Sequence, residues 1–264
     1  MGRRGWAAQG WLYSTPPMNV GLYQSAASLS ALERWQDVVS QNISAGQVTA
    51  YKKRTVEFST QPMGEVAQDK KARIGEGVPA YFPRATYGIS FQNGEVEPTN
   101  RELDIALQGE GFFAVQMPDG SKTYTRAGEL HIRPDRTLAT SQDGSILSDA
   151  DSPIKLTPQG GPLTVNPDGK LLQGDIPLGR LQVVKFSDPT KLIVRSAGSF
   201  IAPAGLDPVP IAAPQVLQGH LENSNVAPLR EMVDLVTISR AYEANQKLIQ
   251  SSDDLLGQAL EKLG

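Results

Sequence analysis

The chain has no cysteine, only two histidines and an aromatic content of 6%. Without cysteine there are no disulfides, no zinc–thiolate sites and no thiol nucleophile. His131 and His220 stand in different segments without ligand spacing, so each reads as a strand or surface residue rather than a catalyst. No stretch approaches the ~20 apolar residues of a membrane span, so no membrane insertion is expected. The net charge of −3 gives no electrostatic case for binding nucleic acid or an anionic membrane. With 39% hydrophobic residues in 264, the apolar supply is lean for a single compact core.

What is present is concentrated at the two ends. Residues 19–45 and 225–263 both carry the period of long amphipathic helices. Leu235, Tyr242, Ile249, Leu256 and Leu263 recur every seven residues. A second, mostly polar row runs through Met232, Ser239, Gln246, Asp253 and Leu260. In the N-terminal segment Leu22, Leu29 and Ile43 share one phase, with Gln36 as the gap, and Leu32 and Val39 add a second stripe. Asn225 is placed to cap the C-terminal helix, and Pro228 falls in its first turn, where a missing N–H costs little. Burying one such seam contributes at most ~1.5–3 kcal/mol per residue. Association opposes it by about 4–15 kcal/mol. A single helix pair is thus near break-even, and the pattern points to a subunit whose helices meet each other and several neighbours.

The 25 glycines and 19 prolines lie mainly between these ends. Residues 59–102 read as an extended or β linker, with Asn93–Gly94 as a tight-turn dipeptide. From residue 103 to 200, short strands alternate with turn chemistry at Pro118–Asp119–Gly120, Pro134–Asp135, Asp143–Gly144 and Pro167–Asp168–Gly169, the signature of an all-β domain. Residues 201–224 form a Pro-rich return, and 225–264 the heptad helix. At the other end, 18–58 hold the N-terminal helix segment. Residues 1–17 are an extension containing Arg3, Arg4, Trp6 and Trp11. The arginine pair is similar to a twin-arginine signal, but the apolar run after it is short and broken by Gln9 and Gly10, so we read Met18 as the translational start. The expected fold class is α+β: N- and C-terminal amphipathic helices packing as a coiled-coil-like pair, with a central all-β domain of short antiparallel strands.

Catalytic chemistry finds little support, and no cofactor or metal is expected. Asp149–Ala150–Asp151 lacks the glycine and glutamate spacing of a calcium loop and reads as a solvated turn. Gly109–Glu110–Gly111 has no following Lys–Ser/Thr and is no phosphate loop. Lys52–Lys53–Arg54 and Lys70–Lys71–Arg73 read as solvated basic faces, with contacts to acidic neighbours in a polymer as the functional alternative. A competing class is a periplasmic, carboxylate-dependent peptidoglycan hydrolase using Glu102, Asp104 and Glu110. A third is a β-domain adhesin on a coiled-coil stalk. A stalk needs one long helix, whereas this chain has one at each end.

Three stretches resemble the flagellar hook–basal-body rod proteins, the family of FlgF and FlgG. The first is Gln41–Asn42–Ile43–Ser44–Ala45–Gly46 through Tyr51–Lys52–Lys53. The second runs Leu103–Asp104–Ile105–Ala106–Leu107–Gln108–Gly109–Glu110–Gly111–Phe112–Phe113 and on to Tyr124–Thr125–Arg126. The third is Gly219–His220–Leu221–Glu222–Asn223–Ser224–Asn225, then Glu231–Met232 and Arg240–Ala241–Tyr242–Glu243. Departures fall at Ala45, where the family has Asn, and at Ala50, where it has Gly. Residues 179–186 are nearer FlgF and residues 239–243 nearer FlgG. The resemblance implies a non-enzymatic structural subunit of the bacterial flagellar basal-body rod. It implies self-polymerisation through the terminal helices, other rod and hook axial proteins as partners, and torque transmission from motor to hook. It also implies export by the flagellar type III apparatus without a cleaved signal peptide, and a place in the periplasmic part of the basal body.

Overall fold

In a computed structural model of the chain, residues 20–65, 79–158, 160–196 and 198–263 are described. The extension 1–17 and the Lys70–Lys71–Arg73 run lie outside them. Two long helices bracket the chain, α1 (Val20–Ser44) and α2 (Pro228–Leu263). They pack together and flank a central antiparallel β region. No described helix is long and apolar enough to cross a membrane.

The described residues fall into two compact units. One holds 20–32, 58–65, 79–84 and 241–263, the first half of α1, the far part of a two-stranded ribbon and the last turns of α2. That ribbon pairs Arg54–Glu65 with Pro79–Ile89. The other unit, Glu33–Glu57 with Ala85–Arg240, contains everything discussed below.

Its main sheet runs, from edge to edge, Ile193–Ser196, Ser199–Ile201, Lys122–Thr125, Phe112–Gln116, Ser145–Ile146, Leu138–Thr140 and Leu130–Ile132. Val183–Lys185 also pairs with Phe112–Gln116 and carries Val209–Pro210. The turn chemistry accounts for the hairpins. At Pro118–Asp119–Gly120 the Met117 amide donates to Ser121 and the Gly120 amide to Met117, with Gly120 at φ 82°. The apolar run Phe112–Val115 is explained by burial on both faces. Phe113 and Val115 enter one core with Ile105, Leu138 and Leu171; Phe112 and Ala114 enter a second with Tyr124, Phe186 and Phe200. In the second core Phe112 meets Phe91, Phe186 and Phe200 at centroid distances of 5.8, 5.9 and 5.9 Å.

Two short ladders close the chain on itself. Gln215–Gln218 pairs with Ile105–Gln108, and His220–Glu222 with Val96–Pro98, with Val216 opposite Leu107 and Leu221 opposite Glu97. The returning segment is thus stitched to the strands where the β-body begins. Asn93–Gly94 is not a hairpin turn, because the strand before it pairs with Arg54–Glu65 and the strand after it with His220–Glu222. Asn225 is not the cap of α2 either. The helix starts at Pro228, with the Arg230 and Glu231 amides donating to the Ala227 carbonyl.

Candidate functional site

Directly after α1, the chain turns back through Ala45, Gly46 and Val48, whose amides donate to the Gln41, Ile43 and Ala45 carbonyls. Ala50 then sits in the left-handed region at φ 55°, a conformation that favours glycine. Its amide donates to the Glu222 carbonyl at 2.8 Å, which draws the N-terminal segment onto the returning strand. Tyr51 and Lys52 follow, both buried.

The side chains around this turn form one connected polar junction. Asn42, fully buried on the last turn of α1, acts like a strand partner for Arg54. Its Oδ1 accepts from the Arg54 amide at 2.9 Å and its Nδ2 donates to the Arg54 carbonyl at 2.9 Å. The same Nδ2 donates to Glu231 Oε2 at 2.9 Å, and Tyr51 Oη donates to Asn42 Oδ1 at 3.3 Å. Glu231 lies in the first turn of α2, where the helix dipole favours an anion, and its other oxygen takes Lys53 Nζ. Asn42 and Glu231 therefore tie the end of one terminal helix to the start of the other.

Glu222 is the second anion. Its Oε1 accepts from Lys52 Nζ at 2.7 Å and from the Gly94 amide at 3.0 Å, and its Oε2 from Arg126 Nε at 2.6 Å. All three side chains are almost fully buried. Two cations sharing one carboxylate leave an excess positive charge, which backbone carbonyls absorb. Lys52 Nζ also donates to Gln92 at 2.7 Å. The Arg126 guanidinium reaches Gly111 at 2.8 Å, Gly109 at 2.9 Å and Leu107 at 3.1 Å. Gly109 and Gly111, at φ 92° and 130°, let those carbonyls converge. Burial pushes the Lys52 ammonium below its usual pKa, assisted by the Arg126 charge and opposed by Glu222. Burial likewise raises the Tyr51 phenol.

Asn225 completes the junction. Its Nδ2 donates to the Ser90 and Gln92 carbonyls at 2.9 and 2.8 Å, and its Oδ1 accepts from the Lys53 amide at 2.6 Å. The Ser224 hydroxyl takes the Val226 amide. Nearby, Asp104 is wholly buried and takes Thr99 Oγ1 at 2.7 Å and the Arg101 guanidinium at 2.8 and 2.7 Å. Its carbonyl accepts from Gly219, itself at φ 71°.

The motif residues of the sequence thus divide by position. Asn42, Tyr51, Lys52, Gly109, Gly111, Arg126, Glu222, Asn225 and Glu231 meet at the junction. Phe112, Phe113 and Tyr124 belong to the cores. Arg240 and Glu243 are exposed, and Tyr242 is half-buried. Along the seam, Val39 is buried; Leu29, Leu32, Ile43, Leu235 and Ile249 are half-buried; Met232 is exposed. The side chains of Leu22, Leu256, Leu260 and Leu263 lie outside those described. On α2 the row beside Leu235, Tyr242 and Ile249 that leaves solvent is Glu231, Ile238, Asn245 and Ser252, one residue ahead of the Met232 row.

Lys52–Lys53–Arg54 is not a solvated face. Lys52 and Lys53 are ion-paired, and the signal for it is the pair of glutamates, Glu222 and Glu231, that follow the return. The carboxylates of the hydrolase reading do not converge. Asp104 is consumed by Arg101, Glu102 lines a groove of about 460 Å³ with His131 and Ser141, and Glu110 lines a different one of about 230 Å³ with Phe91 and Phe186. Among the described residues no group of side chains could hold a metal ion.

A β-body whose two chain ends are locked together by a buried network, where one terminal helix ends and the other begins, defines a structural assembly subunit. Known proteins agree with that class. Residues 106–173 match the family model of the flagellar hook protein FlgE/F/G D1 domain, and residues 217–262 that of the flagellar basal body rod FlgEFG protein C-terminal region. The chain is 31% identical over 247 residues to the flagellar basal-body rod protein FlgF of Caulobacter vibrioides, covering 94% of this chain and 99% of that one. It is also 31% identical over 258 residues to FlgG of Borreliella burgdorferi, covering 90% and 96%. FlgF of Escherichia coli is 29% identical over 261 residues, covering 93% and 99%. The chain belongs to the flagellar basal-body rod protein FlgF/FlgG family, structural and non-enzymatic subunits of the rod.

Proposed function

We propose that the chain assembles through its terminal helices into the axial shaft, beside copies of itself and other rod and hook proteins, and passes torque from motor to hook. The observation that carries this reading is the outer face of α2. Leu229, Met232, Val233 and Val236 follow the i, i+3, i+4, i+7 spacing of one helix face, and all are at least half exposed. The opposite face, with Glu231, Leu235 and Ile238, is turned into the chain's own fold. An apolar helix stripe left in water is matched by the apolar helices of neighbouring subunits, each covered side chain contributing at most about 1.5–3 kcal/mol. The seam residues Leu22, Leu29, Leu32, Val39, Ile43, Met232, Leu235, Tyr242, Ile249, Leu256, Leu260 and Leu263 are the residues we assign to helix packing in the assembled rod. The resemblance also supports export through the flagellar type III apparatus without a cleaved signal, and residence in the periplasmic rod.

The test is Val233→Asp with Val236→Asp. Both side chains are exposed in the single chain, so secretion and monomer circular dichroism should match the parent, while electron microscopy of purified basal bodies shows truncated rods and cells do not swim. Intact rods carrying both aspartates would sink the helix-face reading.

A further inference from the structure

We propose that Asn93–Gly94 is a conditional deamidation site, inert while the Glu222 junction is closed and reactive when it opens. This is the chain's only Asn–Gly sequence. The reaction joins the Gly94 nitrogen to Asn93 Cγ and breaks the Cγ–Nδ2 bond. The Gly94 proton passes to solvent and ammonia leaves; water then opens the cyclic imide to an aspartyl or isoaspartyl residue. No oxidant or other partner is needed.

The fold engages both reacting groups elsewhere. The Gly94 amide donates its hydrogen to Glu222 Oε1 at 3.0 Å, and Asn93 Nδ2 donates to the Gly109 carbonyl at 3.2 Å. Residue 94 must be glycine for the junction to close, because a Cβ there would stand 1.9 Å from the Asn223 carbonyl oxygen. The close approach that locks the junction therefore places the least hindered residue after an exposed asparagine. Residues 90–95 have no regular secondary structure. They are held by Asn225 at Ser90 and Gln92, by Lys52 at Gln92, by Glu222 at Gly94 and by the Asn223 amide at Glu95. Loss of the Glu222 contact frees the Gly94 nitrogen, the atom that must turn toward Asn93 Cγ for the attack. The product is a carboxylate where the amide donor was, facing the Gly109 carbonyl. Reclosure is then opposed by acceptor against acceptor, so each deamidation weakens the closed junction.

The experiment is peptide mapping by mass spectrometry of the full chain held in mildly alkaline buffer, with and without denaturant. Asn93 should convert at least about tenfold more slowly in the folded chain, because the reaction then follows the small open population. Equal rates in the two conditions would overturn the proposal. Glu222→Gln should speed conversion in native buffer; a rate as slow as the parent's would remove Glu222 from the protection. Asn93→Asp, which carries the product's charge, should fold with a lowered Tm, and an unchanged Tm would refute the claim that deamidation weakens the closed junction.

Discussion

Phe113 and Glu222 are both fully buried in the same compact unit, and different forces keep them there. Phe113 lies in a ladder between Thr125 and Val183, its backbone paired and its ring among aliphatic neighbours. Its place follows from apolar area removed from water. Glu222 ends a short edge pairing and gains nothing from area. It stays because two cations and a backbone amide meet it in a region where water cannot. The β-body is a store of non-directional stabilisation. The junction is a specification: ion pairs withdrawn from water add little net stability, but they are severe against any arrangement that leaves one member alone. Within this unit, that severity fixes the end of α1 against the start of α2.

The comparison breaks most sharply at Glu222. Glu222→Ala strands Lys52 and Arg126 together in the interior, and unfolding in urea should show a loss of about 3–5 kcal/mol. Adding Lys52→Met should return part of that loss, because it removes a buried like charge while Arg126 keeps its carbonyl acceptors. A double variant no more stable than the single would show that charge is not what Glu222 balances.

In the β-body, Leu138→Ala should cost about 2–5 kcal/mol through lost burial and the cavity left behind. Leu138 has no exposed surface and packs in the core with Phe113. No second substitution that merely removes a charge should restore it. Restoration of Leu138→Ala by Lys52→Met would mean that the two regions are energetically one.

The same contrast explains what was legible in the sequence. The helices showed through the heptad of Leu235, Tyr242 and Ile249, and the hairpins through dipeptides such as Asp119–Gly120, because periodicity and turn chemistry are local. The junction is not local: Asn42 and Glu231 are 189 residues apart, and Lys52 and Glu222 are 170 apart. A lysine destined for burial looks the same in a string as one in solvent, so Lys52–Lys53–Arg54 read as a surface run. Asn225 read as a helix cap because its residue type suits one, and Asn93–Gly94 as a turn for the same reason. Likeness to a family singled out Asn42, Lys52, Arg126 and Glu222; only the fold says what they do. The row Glu231, Ile238, Asn245 and Ser252 was missed because two of its visible members are uncharged polar residues, and Met232 offered a more apolar alternative.

The smallest expected effect lies at Ala50, between the two regions. Its left-handed backbone costs an alanine about 1–2 kcal/mol. Ala50→Gly would relieve that, but glycine gives back about 0.4–1 kcal/mol as entropy in the unfolded chain. It also forfeits the burial of a methyl that is 1% exposed, worth about 0.8 kcal/mol. The terms nearly cancel, so Ala50→Gly should leave stability within about 1 kcal/mol of the parent, read from urea midpoints at constant m. A larger gain would mean that the junction holds Ala50 under uncompensated strain. A larger loss would mean that the methyl is a packed part of the core. Near-cancellation is what permits this chain to carry alanine at a left-handed position and still bring the residue-50 amide to the Glu222 carbonyl at 2.8 Å.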